Sequence, residues 1–313
     1  MLRDYQHDLV SEITSSFITL NRIVAVLPTG GGKTKVASEI AARFSRVLWL
    51  AHRTELLDQA SAALTEHKGS IVRSIFKSAP AGHFDLVVLD ESHHAPAETV
   101  RNLLETVSFS KLLGLTATPN RLDQQHLGFD TTIYGVPLDS LVDQGYLVPA
   151  DLYTVRATGD KDFELIEWLY TCGEKLGKTI IFVTRREQAE FYKAALSPAF
   201  KIETILQNSN RKAILEEYRG GNIDMLVSCQ VLTEGTDLPC TSSIILARQT
   251  ESHTLLQQMV GRGLRPFDNK DHCKVVEVIN LLGKNKQSIG EVITPRIHYA
   301  VSHRGSEWKT TQL

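Results

Sequence analysis

The stretch Leu27-Pro-Thr-Gly-Gly-Gly-Lys-Thr34 decides the reading of this chain. Before it, Ile23–Leu27 is a short apolar run of the kind that forms a buried strand. After it, Lys33–Phe44 carries apolar residues at helical spacing. Gly30, Gly31 and Gly32 let backbone N–H groups turn inward around an anion, where side chains would collide with it. Lys33 at the start of the helix reaches the β- and γ-phosphates of a nucleotide, and the Thr34 hydroxyl can ligate magnesium. Leu27 stands where the usual phosphate-loop pattern begins with glycine, which narrows the type of loop.

Working outward, Val47–Leu50, Leu86–Leu89 and Leu112–Leu115 read as further buried parallel strands, and Thr54–Leu64 and Ala97–Thr106 as helices. This alternation predicts a doubly wound α/β sheet whose ligands sit at the C-terminal ends of its strands. The alternation restarts later, with strands at Thr179–Val183, Lys201–Ile205, Asp224–Ser228 and Ser243–Leu246. Helices fit Glu187–Leu196, Arg211–Arg219 and Thr254–Val260. Gly145-Tyr-Leu-Val-Pro-Ala150 followed by the charged Thr158-Gly-Asp-Lys-Asp162 reads as a connection between the halves. The expected division is a first domain over 1–147, a linker over 148–162, a second domain over 163–285 and a polar, fraying tail over 286–313.

The bulk composition is compatible with this plan. The 313 residues suffice for about two domains, and 42% hydrophobic with 22% charged residues is ordinary for a globular protein. Neither a run of membrane-spanning length nor signal-peptide character is visible, so a cytoplasmic location is expected. A net charge of −2 argues against a globally basic nucleic-acid coat, but not against a local basic track. Cys172, Cys229, Cys240 and Cys273 form no CxxC pair, so neither a zinc site nor a disulfide framework is expected.

Two further clusters carry chemistry. Asp90 and Glu91 close the apolar run Leu86–Leu89, so both carboxylates emerge at the sheet's C-terminal edge. There one acid can hold Mg2+ while its neighbour positions and deprotonates an attacking water. Gln258-Met-Val-Gly-Arg262-Gly-Leu-Arg265 places two arginines on one helical face by their i, i+3 spacing. Such cations can stabilise the charge of a γ-phosphate in transfer.

With these residues in view, the chain resembles a superfamily 2 helicase-type ATPase of the DExH group, from about residue 2 to about residue 283. Leu2-Arg-Asp-Tyr-Gln6 resembles the adenine-reading motif and Leu27 to Thr34 motif I. Ala51-His-Arg-Thr-Glu-Leu56 with Gln59 resembles motif Ia, Asp90-Glu-Ser-His93 the DExH box, and Thr116-Ala-Thr-Pro119 motif III. Ile180-Ile-Phe-Val-Thr184, Glu234-Gly-Thr-Asp-Leu-Pro239 and Gln258 to Arg265 are similar to motifs IV, V and VI. The LRxYQ opening and Thr250-Glu-Ser-His-Thr-Leu-Leu-Gln-Gln258 are most similar to the group around RadD, XPB and UvsW-type motors.

The resemblance implies two tandem RecA-like domains with ATP and Mg2+ in the cleft between them. It implies that Gln6 hydrogen-bonds adenine with Arg3 nearby, that Asp237 lies between nucleotide and nucleic acid, and that Asp90 and Thr34 hold magnesium. Arg53, Thr184 and Gly235 would hold nucleic-acid backbone. His93, Thr116, Thr118 and Gln258 would couple hydrolysis to movement. The implied activity is a nucleic-acid-dependent ATPase, a helicase or translocase with DNA favoured over RNA. The alternatives are an ATP-gated clamp with little turnover and the motor subunit of a nuclease system, which needs a separate partner chain. A small-molecule kinase would explain the phosphate loop but not motifs III to VI.

Two departures stand out. The chain is short between Gln59 and Asp90, compressing the strand and helix that usually carry a second strand-gripping motif. Cys229 lies where many relatives place a phosphate-binding threonine.

Overall fold

A computed structural model describes residues 1–78, 80–90, 97–117, 127–229, 231–232, 236–248, 250, 252–280, 289–304 and 307–313. Glu91, His93, Thr118, Glu234 and Gly235 lie outside these described residues. The chain divides into two units, Met1–Leu138 and Asp139–Leu313, each built around its own sheet.

The first unit runs α1 (Asp4–Ser16), β1 (Arg22–Val26), α2 (Lys33–Ala41), β2 (Val47–Ala51), α3 (Thr54–Ala63), β3 (Ser70–Ser74), β4 (His83–Asp90), α4 (Ala97–Thr106), β5 (Ser108–Thr116) and β6 (Thr131–Tyr134). Its strands lie in the order β3-β2-β4-β5-β1-β6, all parallel. β2 is buried along its whole length, the pattern of a strand covered on both faces. Leu48, Leu50, Phe84, Val87, Leu89 and Leu112 form the centre of one core layer. Lys111 of β5 donates to the Leu20 carbonyl and the Asn21 side chain at 2.8 Å each, tying the end of α1 to the sheet. β3 is a half-buried edge strand, and no helix separates it from β4 among the described residues.

The second unit contains α5 (Leu138–Asp143, starting at the border), β7 (Ala150–Ala157), α6 (Lys161–Cys172), β8 (Thr179–Val183), α7 (Arg186–Leu196), β9 (Ile202–Ile205), α8 (Arg211–Gly220), β10 (Met225–Cys229), β11 (Ser243–Leu246), α9 (His253–Gly263), β12 (Cys273–Asn280), β13 (Ile297–Arg304) and β14 (Glu307–Gln312). The order is β14-β13-β7-β12-β11-β8-β10-β9, parallel except for the β13–β14 hairpin.

Two expectations about organisation are corrected here. Residues 148–162 are not a linker: β7 lies inside the second sheet, between β13 and β12. Its charge is neutralised locally, because Arg296 clamps the buried Asp151 carboxylate with Nε–Oδ1 2.8 Å and Nη2–Oδ2 2.7 Å. The charged stretch that follows starts a helix. Asp160 caps α6 by accepting from the Asp162 and Phe163 amides at 2.9 and 3.2 Å. The expected tail 286–313 instead supplies β13 and β14. Tyr299 of β13 stacks on Tyr153 of β7 at 4.7 Å, and Val301 is fully buried, so this polar stretch still contributes to the core.

Among the described residues no helix is long and apolar enough to cross a membrane. The four cysteines are free.

Candidate ATPase site and arginine helix

In the first unit the phosphate loop follows β1 and opens α2. Gly30 and Gly32 adopt φ of 89° and 82°, the left-handed region that an L side chain rarely enters. Gly32 is also the N-cap of α2, and its carbonyl accepts from the Lys35 and Val36 amides at 3.0 Å each. A Cβ at Gly32 would stand 2.3 Å from the Gln6 amide nitrogen. A Cβ at Gly31 would stand 3.1 Å from the Pro28 carbonyl oxygen. The loop thus has to remain bare backbone, which suits a surface that must approach phosphate closely.

The loop is shaped from behind by α1. Tyr5 donates its hydroxyl to the Gly31 carbonyl at 2.9 Å, and Gln6 donates from Nε2 to the same oxygen at 3.0 Å. Gln6 is 3% exposed and its Oε1 accepts from the Arg3 amide at 3.0 Å. Gln6 therefore stands against the phosphate loop itself. Tyr5 had no role in the sequence expectations, although it lies within the quoted LRxYQ stretch. Lys33 lies in the first turn of α2, where its ammonium reaches the Leu27 carbonyl at 3.3 Å, and Thr34 is the next residue, half-buried.

Three neighbouring strands bring the remaining residues to the same edge. Asp90 ends β4, opposite Leu115 of β5; Thr116 ends β5, opposite Val26 of β1. The Leu27 amide then donates to the Thr116 carbonyl at 3.0 Å, so the phosphate loop begins beside Thr116. At ~4.8 Å per strand step, Asp90 lies two strands, about 10 Å, from the root of that loop. Asp90 and Thr116 are 3% and 4% exposed. The hydroxyl of Thr34 and the carboxylate of Asp90 are hard oxygen donors, which fits a magnesium ion carried by a phosphate-bound substrate. Arg53 caps α3 beyond β2, its Nε 3.3 Å from His52 Nε2.

In the second unit the candidate residues again gather at strand ends. Thr184 follows β8, its amide donating to Gln188 Oε1 at 3.1 Å, and is exposed. The Cys229 thiol at the end of β10 donates to the Thr184 carbonyl at 3.4 Å. Burial pushes that thiol up from its ordinary value, so it stays protonated and acts as a weak donor. Gln258 and Arg262 lie on α9 and are 1% and 6% exposed. Arg262 donates from Nη1 to the Thr236 carbonyl, and Arg265, just past the helix, pairs from Nη1 with Asp237 Oδ1. The two arginines and Asp237 are therefore brought together, with Thr236 as a partner that the sequence did not single out.

Lys270 was also missed. Its Nζ stands 2.6 Å from the Thr241 carbonyl, 3.2 Å from that of Pro239, 2.5 Å from that of Gly263 and 3.0 Å from that of Arg265. Burial lowers its pKa, with the buried Cys273 and Cys240 thiols opposing and the Arg265 charge adding to that direction. The sequence signal available was a turn-forming Asp268-Asn269 before a lysine; Asn269 sits at φ 59° and Lys270 N closes onto the Phe267 carbonyl at 3.0 Å.

Comparison with known proteins places these elements in context. The family described as "Helicase conserved C-terminal domain" matches residues 161–266, and "Type III restriction enzyme, res subunit" matches residues 1–78 and 69–121. A Saccharomyces cerevisiae protein provisionally named ATP-dependent helicase IRC3 is 27% identical over 95% of this chain and 53% of its own length. The DNA 3'-5' translocase XPB2 of Sulfurisphaera tokodaii is 23% identical over 89% of this chain and 81% of its own length. A type I restriction enzyme EcoAI endonuclease subunit of Escherichia coli is 24% identical over 78% of the chain and 42% of its own length. The chain spans little more than half the length of the first two curated relatives, 53% and 58%. In fold, a fragment provisionally assigned as an HsdR subunit from Vibrio vulnificus superposes with a TM-score of 0.75 at 23% identity, covering 96% of this chain and 68% of that one. S. cerevisiae Dbp5 bound to RNA and ADP BeF3 gives 0.67 at 14% identity, covering 96% and 94%.

Proposed function

Because this chain belongs to the superfamily 2 helicase-type ATPases, with two RecA-like α/β units, we propose that it is an ATP-driven motor that moves along or remodels nucleic acid. The observation that supports this most directly is the ordered edge of the first sheet. There the phosphate loop after β1, Thr116 at the end of β5 and Asp90 at the end of β4 stand on successive strands.

In this reading the bare loop from Gly30 to Gly32 cradles the phosphates, and Lys33 turns from the Leu27 carbonyl to the β- and γ-phosphates. Thr34 and Asp90 would hold magnesium, which when bound offsets phosphate charge. Glu91 is assigned to the attacking water, and Arg262 and Arg265 to the charge that builds on the γ-phosphate. Gln6 reads adenine from its place behind the loop, and Asp237 orients Arg265 and the nucleotide. Arg53, Thr184 and Gly235 are assigned to nucleic-acid backbone, and His93, Thr116, Thr118 and Gln258 to coupling. Backbone gripping predicts binding that weakens with salt and has little sequence preference.

DNA is the proposed track, on the printed activity of the XPB2 relative and the restriction-enzyme relative. Those restriction-enzyme resemblances also favour a second reading, a motor subunit serving a nuclease on another chain.

Steady-state ATP hydrolysis with single- and double-stranded DNA and RNA, wild type beside Lys33→Ala, tests the proposal. Stimulation by one nucleic acid, abolished in the variant, supports a motor and identifies its track. Tight ATP binding without stimulated turnover sinks the motor and leaves an ATP-gated clamp.

A further inference from the structure

We propose that Lys270 is a positioning residue for the arginine pair: its ammonium fixes the end of α9 against the loop 236–241, so that Arg262 and Arg265 are held at the reach that turnover requires. The inference rests on the assignment of those arginines to the γ-phosphate.

The geometry is that of one cation gathering two segments. Gly263 and Arg265 lie at the end of α9, where helix carbonyls have no intrahelical partner and carry partial negative charge. Pro239 and Thr241 lie in the loop that also presents Thr236 and Asp237. Lys270 takes one carbonyl pair from each segment, at 2.5 and 3.0 Å on the helix side and 3.2 and 2.6 Å on the loop side. Arg262 to Thr236 and Arg265 to Asp237 bridge the same two segments. A displacement of helix end relative to loop would therefore move both guanidinium groups together.

A lysine is suited to this task. Its three N–H donors radiate from one atom and can be shared among four oxygens, whereas a planar guanidinium spreads its donors over a fork. Two details support the placement. Asn269 in the left-handed region turns the chain so that Lys270 points back under α9. Gly263 lets α9 close tightly on the sheet, since a Cβ there would stand 2.4 Å from Cys273 Sγ and 2.7 Å from Ile244 Cγ1. No carboxylate oxygen is among the four contacts, so neutralising the lysine leaves carbonyl oxygens short of donors rather than an acid unpaired.

The test is a double-mutant cycle on steady-state ATP hydrolysis with saturating DNA, using wild type, Lys270→Met, Arg265→Ala and the double variant, with thermal melting of each. Lys270→Met is expected to lower kcat about tenfold or more by misplacing the arginines, while KM for ATP stays within about twofold. In the Arg265→Ala background the same substitution is expected to cost at least about threefold less than in wild type, because one of the two guanidinium groups it positions is already gone. Equal losses in both backgrounds, or an unchanged kcat in a folded Lys270→Met protein, would overturn the inference. If Lys270→Met does not fold, Lys270→Arg enters the same cycle with the same expectation. No stimulated turnover in wild type, or none lost in Arg265→Ala, overturns the arginine assignment and this inference together; a loss in Arg265→Ala alone overturns only the role of Lys270.

Discussion

Arg265 pairs with Asp237 across 28 positions of sequence, joining the end of the arginine helix to the loop beyond β10. Asp237 is 62% exposed at its side chain, so the pair is worth at most about 1 kcal/mol to stability. A catalytic role for Arg265 should thus separate cleanly from a structural one. Arg265→Ala is expected to lower kcat for ATP by about 10³ or more. Its melting temperature should stay near that of wild type. A large loss of stability with a small loss of kcat would reverse the assignment.

The Gln6 amide and Gly32 compete for the same space. In Gly32→Ala the new methyl would have to displace Gln6 Nε2 from 2.3 Å and accept φ of 82°. The left-handed conformation alone costs an L residue about 1–2 kcal/mol. The expected outcome is an ATP affinity reduced about tenfold or more, since each 1.4 kcal/mol is a factor of ten, read by titrating a fluorescent ATP analogue. Tyr5→Phe, which removes only the hydroxyl bonded to Gly31, should weaken affinity in the same direction but less.

Asp90 is a buried carboxylate at the end of β4 in a sheet of apolar neighbours. Asp90→Asn keeps its shape and removes its charge. Hydrolysis should fall by about 10²–10⁴, the usual range for a positioned catalytic group, while nucleotide binding without magnesium is unchanged. Magnesium titrations of the residual activity should shift to higher concentration; an unshifted curve would remove Asp90 from the magnesium site.

Asp130 gives a pH dependence of stability. Its Oδ2 accepts from the Asn21 and Arg22 amides at 2.8 Å each, and these bonds hold its pKa below the usual 3.8. Because the folded value is the lower one, the stabilisation is complete above the unfolded value and is lost as pH falls through the folded value. The melting temperature of wild type should exceed that of Asp130→Asn at pH 6, and the gap should narrow progressively as the pH falls below about 4. A gap constant from pH 6 to pH 3 would contradict this role.

The strands that the sequence exposes most plainly are those buried on both faces, such as Val47–Ala51 and Thr179–Val183, in which the one hydroxyl, that of Thr179, donates to the Gly177 carbonyl two residues before it. β7, β12 and β13 escape the same reading because each carries polar side chains satisfied by a distant partner. Asp151 meets Arg296, and Thr154 donates to Glu277 at 2.7 Å and contacts His298 at 2.9 Å. Those pairings span more than a hundred residues, so no local window contains them. The site divides similarly. Lys33 and Asp90 announce themselves through the strand each follows or ends, and Arg262 through its helix. Lys270 acts on backbone carbonyls, which have no letter in the sequence.

Translation completes the two sheets at very different moments. Every strand of the first is in hand once Tyr134 has been added, when β6 joins β5 in flanking β1. β7, made at residues 150–157, must wait for β12 and β13, its neighbours on either side, until about residue 302 has emerged. Until β12 is made a strand with tyrosine and valine on its faces has neither edge covered, and until β13 it keeps one edge open, the condition under which nascent chains pair wrongly or recruit chaperones. The first unit can therefore mature on the ribosome while the second is still open, and a pause or truncation anywhere before β13 would strand β7 without its proper neighbours.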